Sequence, residues 1–229
     1  MAKKEEHKNE LIENPEALKE KLVGAETWLE SNPKIAIGIT GAILLIVGAY
    51  FGFNYYKNSQ NVLAQKEMFQ AVYYFEADSL DKALNGDGNN LGFLNIIEDY
   101  GITDAGKLAN YYAGVSFLKQ GKYEVARLYL EDFTSNDLLV QARAYSLIGD
   151  TYMEEQKYDD AASYYHKAAN YKPNRYFSPA YLMKEALAYE KLNQFDKAKE
   201  AYEKIITQYS ESGKYQNDRK LKERLETNS

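Results

Sequence analysis

Three stretches in the second half of this chain place the same residue types at the same positions. They are YYAGVSFLKQGKYEVARLYLEDF from Tyr111, YSLIGDTYMEEQKYDDAASYYHKAANYKP from Tyr145, and LMKEALAYEKLNQFDKAKEAYEKI from Leu182. Aligned, Gly114, Gly149 and Ala186 share one position, and Phe117, Tyr152 and Tyr189 the next. Tyr123, Tyr158 and Phe195 follow, then Ala126, Ala161 and Ala198, then Leu130, Tyr165 and Tyr202. The steps are 35 and 37 residues. A small residue and an aromatic three positions apart lie on one helical face. The pattern therefore predicts helical hairpins, crossing closely at the small residues and filled between by aromatics. One hairpin is too thin to bury both of its apolar faces, so the units must stack.

These residues resemble the tetratricopeptide repeat, with Pro173 closing the middle unit. The resemblance covers 105–212 and implies an all-α chain, a repeat α-solenoid. Segment 57–104 is read as a linker helix with a degenerate hairpin: NVLAQKEMFQAVYYFEADSLDKAL as a long helix broken near Asp78, then LGFLNIIEDY as a second. Segment 213–229 is polar and is read as a C-terminal cap helix, which a stack needs to end in water. Tyrosine is over-used, with 22 copies against nine Phe and one Trp, which suits much half-buried surface.

Ile35 to Tyr56 form the other constraint. These 22 residues, IAIGITGAILLIVGAYFGFNYY, contain no charge. As a helix at about 1.5 Å per residue they reach roughly 33 Å, against about 30 Å of hydrocarbon. A transmembrane helix over 35–56 is the reading. A secretory signal fits poorly, because 34 residues precede the run and no small-residue cleavage site follows it. The aromatics at its end and Lys57 suit the far interface, with Trp28 and Lys34 at the near one. Lysine placement weakly favours a cytoplasmic N-terminus. Gly38, Gly41, Gly48 and Gly52 fall within a narrow arc, with Ala42 and Ala49 on its edge. Such a face admits close approach of another helix, from a partner or a second copy, although glycine is common in spans anyway. Before the span, 1–34 is read as a charged segment carrying a short amphipathic helix capped at Asn14.

Catalytic chemistry finds little support. His166 is the single histidine beyond the span and is expected to face solvent, and His7 lies near the N-terminus. Glu154, Glu155, Asp159 and Asp160 flank an expected turn, where acidic residues are unremarkable. NGDGNN at 85–90 approaches a calcium loop through Asn85, Asp87 and Asn89, but Asn90 stands at the turn glycine and Ile96 at the bidentate glutamate. A loop using Gly and Asn for left-handed conformations is the preferred reading. No cofactor, metal or catalytic residue is assigned, and a hydrolase or metal enzyme is the least favoured class. With no cysteine, thiolate chemistry is excluded. A net charge of −6 without a basic stripe argues against nucleic acid.

By the repeat family's register, the inner face of the stack is lined by Leu108, Tyr111, Val115, Leu118 and Lys119. It continues through Arg143, Ser146, Asp150, Met153 and Glu154, then Met183, Leu187, Glu190 and Lys191. Tyr111, Val115, Ser146 and Asp150 stand where some relatives grip a carboxylate, so an apolar peptide segment suits this face better. The order of parts, with WLESNPKIAIG before the span and GFNYYKNSQ after it, is similar to the YfgM-type ancillary subunits of the bacterial Sec translocon. That resemblance implies a single-pass inner-membrane protein with periplasmic repeats, whose partners are translocon subunits, a periplasmic chaperone or client polypeptides. The alternative is an envelope assembly scaffold, self-associating through the span.

Overall fold

A computed structural model of the chain describes residues 28–209, together with Lys19, Val23 and Glu226. The described residues form α-helices and no strand. The helices are α1 (Pro33–Glu76), α2 (Leu80–Asn85), α3 (Phe93–Tyr100), α4 (Asp104–Lys119), α5 (Tyr123–Asp132), α6 (Leu138–Glu154), α7 (Tyr158–Asn170), α8 (Ser178–Lys191) and α9 (Phe195–Gln208). The expected amphipathic helix of 1–34 and the cap helix of 213–229 lie outside the described residues, apart from helical residues 28–31 and the single helical residues Lys19, Val23 and Glu226. By its contacts the chain divides into two compact units, Met1–Tyr56 and Lys57–Ser229.

In the first unit, Pro33 opens α1, where a missing amide costs nothing. The Asn32 carbonyl accepts from the amides of Ile35 and Ala36, both at 3.0 Å. Residues 37–53 are exposed without exception. Among the described residues this is one helix long and apolar enough to cross a membrane.

The second unit is a series of helical hairpins. α4 pairs with α5, α6 with α7, and α8 with α9, each second helix beginning at Tyr123, Tyr158 or Phe195. The turns are copies of one another. Gly121, Gln156 and Asn193 take left-handed φ of 73°, 59° and 57°. The next amide, of Lys122, Lys157 or Gln194, donates back to the carbonyl of Phe117, Tyr152 or Tyr189, each at 2.9 Å. This is the bonding of a Schellman motif, which satisfies carbonyls the ending helix leaves open.

A fourth copy of that turn lies at the expected helix break near Asp78. Asp78 has φ 55°, and the Ser79 amide donates to the Tyr74 carbonyl at 2.9 Å. Ala71, Tyr74, Leu80 and Ala83 keep the spacing of Gly114, Phe117, Tyr123 and Ala126, one step of 43 residues earlier. Ala71 and Ala83 are both fully buried, as are Ala126, Ala161, Ala186 and Ala198. The helix break near Asp78 is therefore a repeat turn, and the first hairpin pairs α1 with the short α2, whereas the expected one paired the long helix with LGFLNIIEDY, which forms α3.

The small residues sit where the helices cross. A Cβ on Gly114 would stand 2.6 Å from Leu130 Cγ, and one on Gly149 would stand 2.6 Å from the Tyr165 ring. Tyr165 and Tyr202 are at most 2% exposed, and each hydroxyl donates to a carboxylate of its own hairpin. Tyr165 reaches Asp150 at 2.6 Å and Tyr202 reaches Glu190 at 2.8 Å. Buried tyrosines need such partners, which accounts for part of the tyrosine excess. The stacked ring pair Phe117–Tyr129 (5.3 Å) recurs one repeat later as Tyr152–Tyr164 (5.5 Å).

Adjacent hairpins are tied by charge as well as packing. Arg127 on α5 lies 4.2 Å over the Tyr152 ring and donates to both carboxylate oxygens of Glu155, at 3.1 and 3.3 Å. Glu155, which the sequence placed among unremarkable turn acids, is thus an inter-repeat anchor. Lys157 also donates to it, at 2.9 Å, and these bonds hold its carboxyl below the usual range.

Candidate functional site

The expected ligand face lies on α4, α6 and α8, the first helix of each repeat. On α4, Leu108, Tyr111, Val115 and Leu118 are half-buried and Lys119 is exposed. On α6, Arg143 and Glu154 are exposed, Asp150 and Met153 half-buried, and Ser146 buried. On α8, Met183, Leu187 and Glu190 are half-buried and Lys191 is exposed. Half-exposed apolar side chains on three successive helices suit a partner that supplies apolar surface of its own.

Most of the polar groups on this face already have partners within the chain. Lys184 on α8 donates to both Asp150 oxygens at 2.8 Å and to Ser146 Oγ at 3.1 Å. Asp150 also takes the Tyr165 hydroxyl, so Ser146 and Asp150 join repeats to each other. Lys119 is paired with Asp78 at 2.6 Å and lies 5.3 Å over the Phe75 ring. Glu190 takes the Tyr202 hydroxyl, and Glu154 takes that of Tyr123 at 3.4 Å. Arg143 makes no ion pair among the described residues. Its charge opposes the upward pull of burial on the hydroxyls of Tyr111 on α4 and Tyr181 on α8. The face is thus apolar and aromatic around the unpaired charges of Arg143 and Lys191 among the described residues.

Two clefts border it at the N-terminal end of α4. One, of about 660 Å³, lies beneath the loop at 133–137 and is lined by Lys107, Leu108, Phe133, Tyr145 and Tyr171 among others. The other, of about 420 Å³, lies between α1 and α4 and includes Met68, Phe69, Val72 and Tyr112. Both include Asp104 and Leu108. The loop over the first is held by Asp137, which caps α6 by accepting from the amides of Leu139 (2.8 Å) and Val140 (2.9 Å).

His166 is about half-exposed, as expected, but the sequence did not reveal its partner. Its Nδ1 lies 2.9 Å from Glu185 Oε1, whose side chain is 6% exposed. The other Glu185 oxygen is buried with no hydrogen bond. Burial pushes this carboxyl up, and His166 partly draws it back. The one signal available beforehand was a glutamate next to the buried small position at Ala186.

The calcium-like loop is closed by its own donors. Asp87 accepts from the amides of Asn89 (2.9 Å) and Asn90 (2.7 Å) and from the Tyr74 hydroxyl (2.6 Å). These bonds hold its carboxyl far below the usual range. Left-handed φ falls to Gly86 and Gly88; the asparagines serve as donors instead, a correction to the expected division of labour. Among the described residues no cluster of three His, Asp or Glu has metal-binding geometry.

Tetratricopeptide-repeat family models match residues 111–175 and 180–212. No curated protein matches the chain. Solved structures with similar folds include the repeats of a putative kinesin light chain from Podosopora anserina, described as nearly identical TPR-like repeats. That structure is 12% identical, with 72% of this chain and 92% of that one covered at a TM-score of 0.49. MamA from AMB-1 is 16% identical, with coverages of 73% and 92% and a TM-score of 0.45. Residues 111–175 and 180–212 thus carry tetratricopeptide repeats within an all-α unit, an architecture that points to a protein-interaction scaffold.

Proposed function

We propose that this protein is a non-enzymatic scaffold held in a membrane by residues 35–56, whose repeats grip a polypeptide. The observation that carries the reading is the contrast along α1 and beyond it. Residues 37–53 are apolar and wholly exposed, whereas the repeats bury their small residues completely. Apolar surface on that scale is stable in lipid or against another protein, not in water. A Cβ on Gly38, Gly41, Gly48 or Gly52 would meet nothing within 4 Å, so the glycine face is open to a second helix.

The resemblance of the span's flanks to the YfgM-type subunits supports a finer reading. The protein is an ancillary factor of the bacterial Sec translocon, single-pass in the inner membrane with its N-terminus cytoplasmic. Its periplasmic repeats contact a chaperone or emerging polypeptides through Tyr111, Val115, Met153, Met183 and Leu187, with Arg143 available to a carboxylate. Photocrosslinking from Gly48 or Gly52 in native membranes is expected to yield translocon adducts. Their absence overturns the translocon assignment, and recovery of the full-length chain in the soluble fraction overturns the anchor itself.

A further inference from the structure

The outward side of α1 within the second unit is apolar where a stack needs to meet water. Ala64, Met68 and Ala71 point into the first hairpin and are at most 6% exposed. On the opposite side Val62, Phe69 and Tyr73 are 53%, 75% and 59% exposed. Their spacing of seven and four residues sets them in one stripe. The end of a helical stack remains soluble when its outer face is polar, and this face carries three large apolar side chains beside Lys66.

Phe69 stands on the rim of the cleft of about 420 Å³ formed with Met68, Val72, Leu108 and Tyr112. A projecting ring beside a hole able to receive a ring is the requirement for an isologous contact. Across a two-fold axis each ring enters the other copy's cleft, and every exposed group is used. Charge agrees. Lys66 lies within the stripe and has no ion pair among the described residues. The Asp104 carboxylate on the cleft rim is 76% exposed even with Lys57 at 3.1 Å.

We propose that two copies of this chain associate through the Val62–Phe69–Tyr73 face of α1, with Phe69 of each seated in the α1–α4 cleft of the other. About ten residues line this face, against roughly 20–30 per side in a stable interface. The contact therefore forms where copies are already concentrated, as in one membrane plane. In that respect it rests on the anchor proposed above. It is distinct from association through the glycine face of the span, and of the α4–α6–α8 face it takes only Leu108.

The chain has no native cysteine, so single cysteines report contacts directly. Full-length Val62→Cys and Tyr73→Cys, each keeping Phe69 and oxidised in membranes, are expected to give disulfide-linked homodimers. Leu128→Cys, on an exposed position of α5, is expected to give none. Adding Phe69→Asp to Tyr73→Cys is expected to cut dimer yield about tenfold or more, as loss of a central aromatic does. Phe69→Ser, with circular dichroism of both variants, separates this from misfolding. Gly48→Leu with Gly52→Leu is expected to leave the crosslink in place. Fractionation comes first, so a failed anchor is seen before any crosslink is scored. No dimer at 62 or 73, equal dimer at 128, a dimer indifferent to Phe69→Asp but lost with the glycine changes, or a crosslink only to another protein each overturns the proposal.

Discussion

The first hairpin and the middle repeat make the same turn and then part. In both, a residue with φ between 55° and 59° follows the first helix, and a 2.9 Å amide–carbonyl bond closes the turn. In both, an alanine three residues into the second helix is fully buried, Ala83 in one and Ala161 in the other. The middle repeat then runs on to Asn170, whereas α2 ends at Asn85 after six residues. The divergence has one location. Tyr165, buried 15 residues after Asp150, aligns with Asp87 in the first hairpin. An aromatic there anchors the helix to its partner. An aspartate cannot be buried on that face, so the chain leaves the helix, and Asp87 gathers the loop amides instead. Turn geometry is local, and helix length is set by what the next apolar position can bury.

Exchanging the roles of these two positions tests that account most severely. Tyr165→Ala is expected to cost about 3–5 kcal/mol, the usual loss for a large buried aromatic. Asp87→Ala, at the aligned position, is expected to cost far less and to act only on the loop at 86–92. Urea unfolding of the full-length protein in detergent measures both. Equal losses would mean that Asp87 is as structural as Tyr165 and would end the contrast.

A smaller effect distinguishes the crossings. Gly149→Ala sets a Cβ 2.6 Å from the Tyr165 ring and is expected to cost about 1–3 kcal/mol through overpacking. Ala71→Gly, at the matching crossing of the first hairpin, is expected to cost about 1–2 kcal/mol, through helix propensity and the loss of one buried methyl. If Gly149→Ala proves neutral in the same unfolding experiment, the middle crossing is looser than its geometry.

The smallest effect concerns pH and has no counterpart in the first hairpin. Burial raises the Glu185 carboxyl above its ordinary 4.5, so the native state holds its proton where the unfolded chain has lost it. Stability from this group is full below that value and falls as pH rises through the folded one. His166 on α7 faces the carboxyl, as do the charges of Glu200 and Lys204 on α9. Glu185→Gln is expected to flatten the fall in Tm on going from acid to neutral pH, and His166→Gln to steepen it. Parallel profiles for both variants and the parent would remove Glu185 as the cause.

The repeat reading was legible because small and aromatic residues recur at fixed intervals, and the helix starts at Tyr123, Tyr158 and Phe195 follow from it. The first hairpin was harder. Its pattern of Ala71, Tyr74, Leu80 and Ala83 is present, but the step of 43 residues and the missing aromatic at Asp87 hid it. The ligand face was legible as a set of positions but not as a set of available groups. Ser146 and Asp150 turn out to be held by Lys184, 38 and 34 residues away.

What the sequence determined by itself is what depends on neighbours along the chain: which segments are helical, where the hairpins turn, and that one uncharged stretch is long enough to span lipid. A helix places residues three and four apart on one face whatever surrounds it. Tertiary structure alone decided which charges are consumed, which carboxylate is buried at Glu185, and that Phe69 stands uncovered beside a cleft. Those outcomes follow from how one hairpin lies on the next, and a shift of a few ångströms at that junction would exchange a bonded group for a free one.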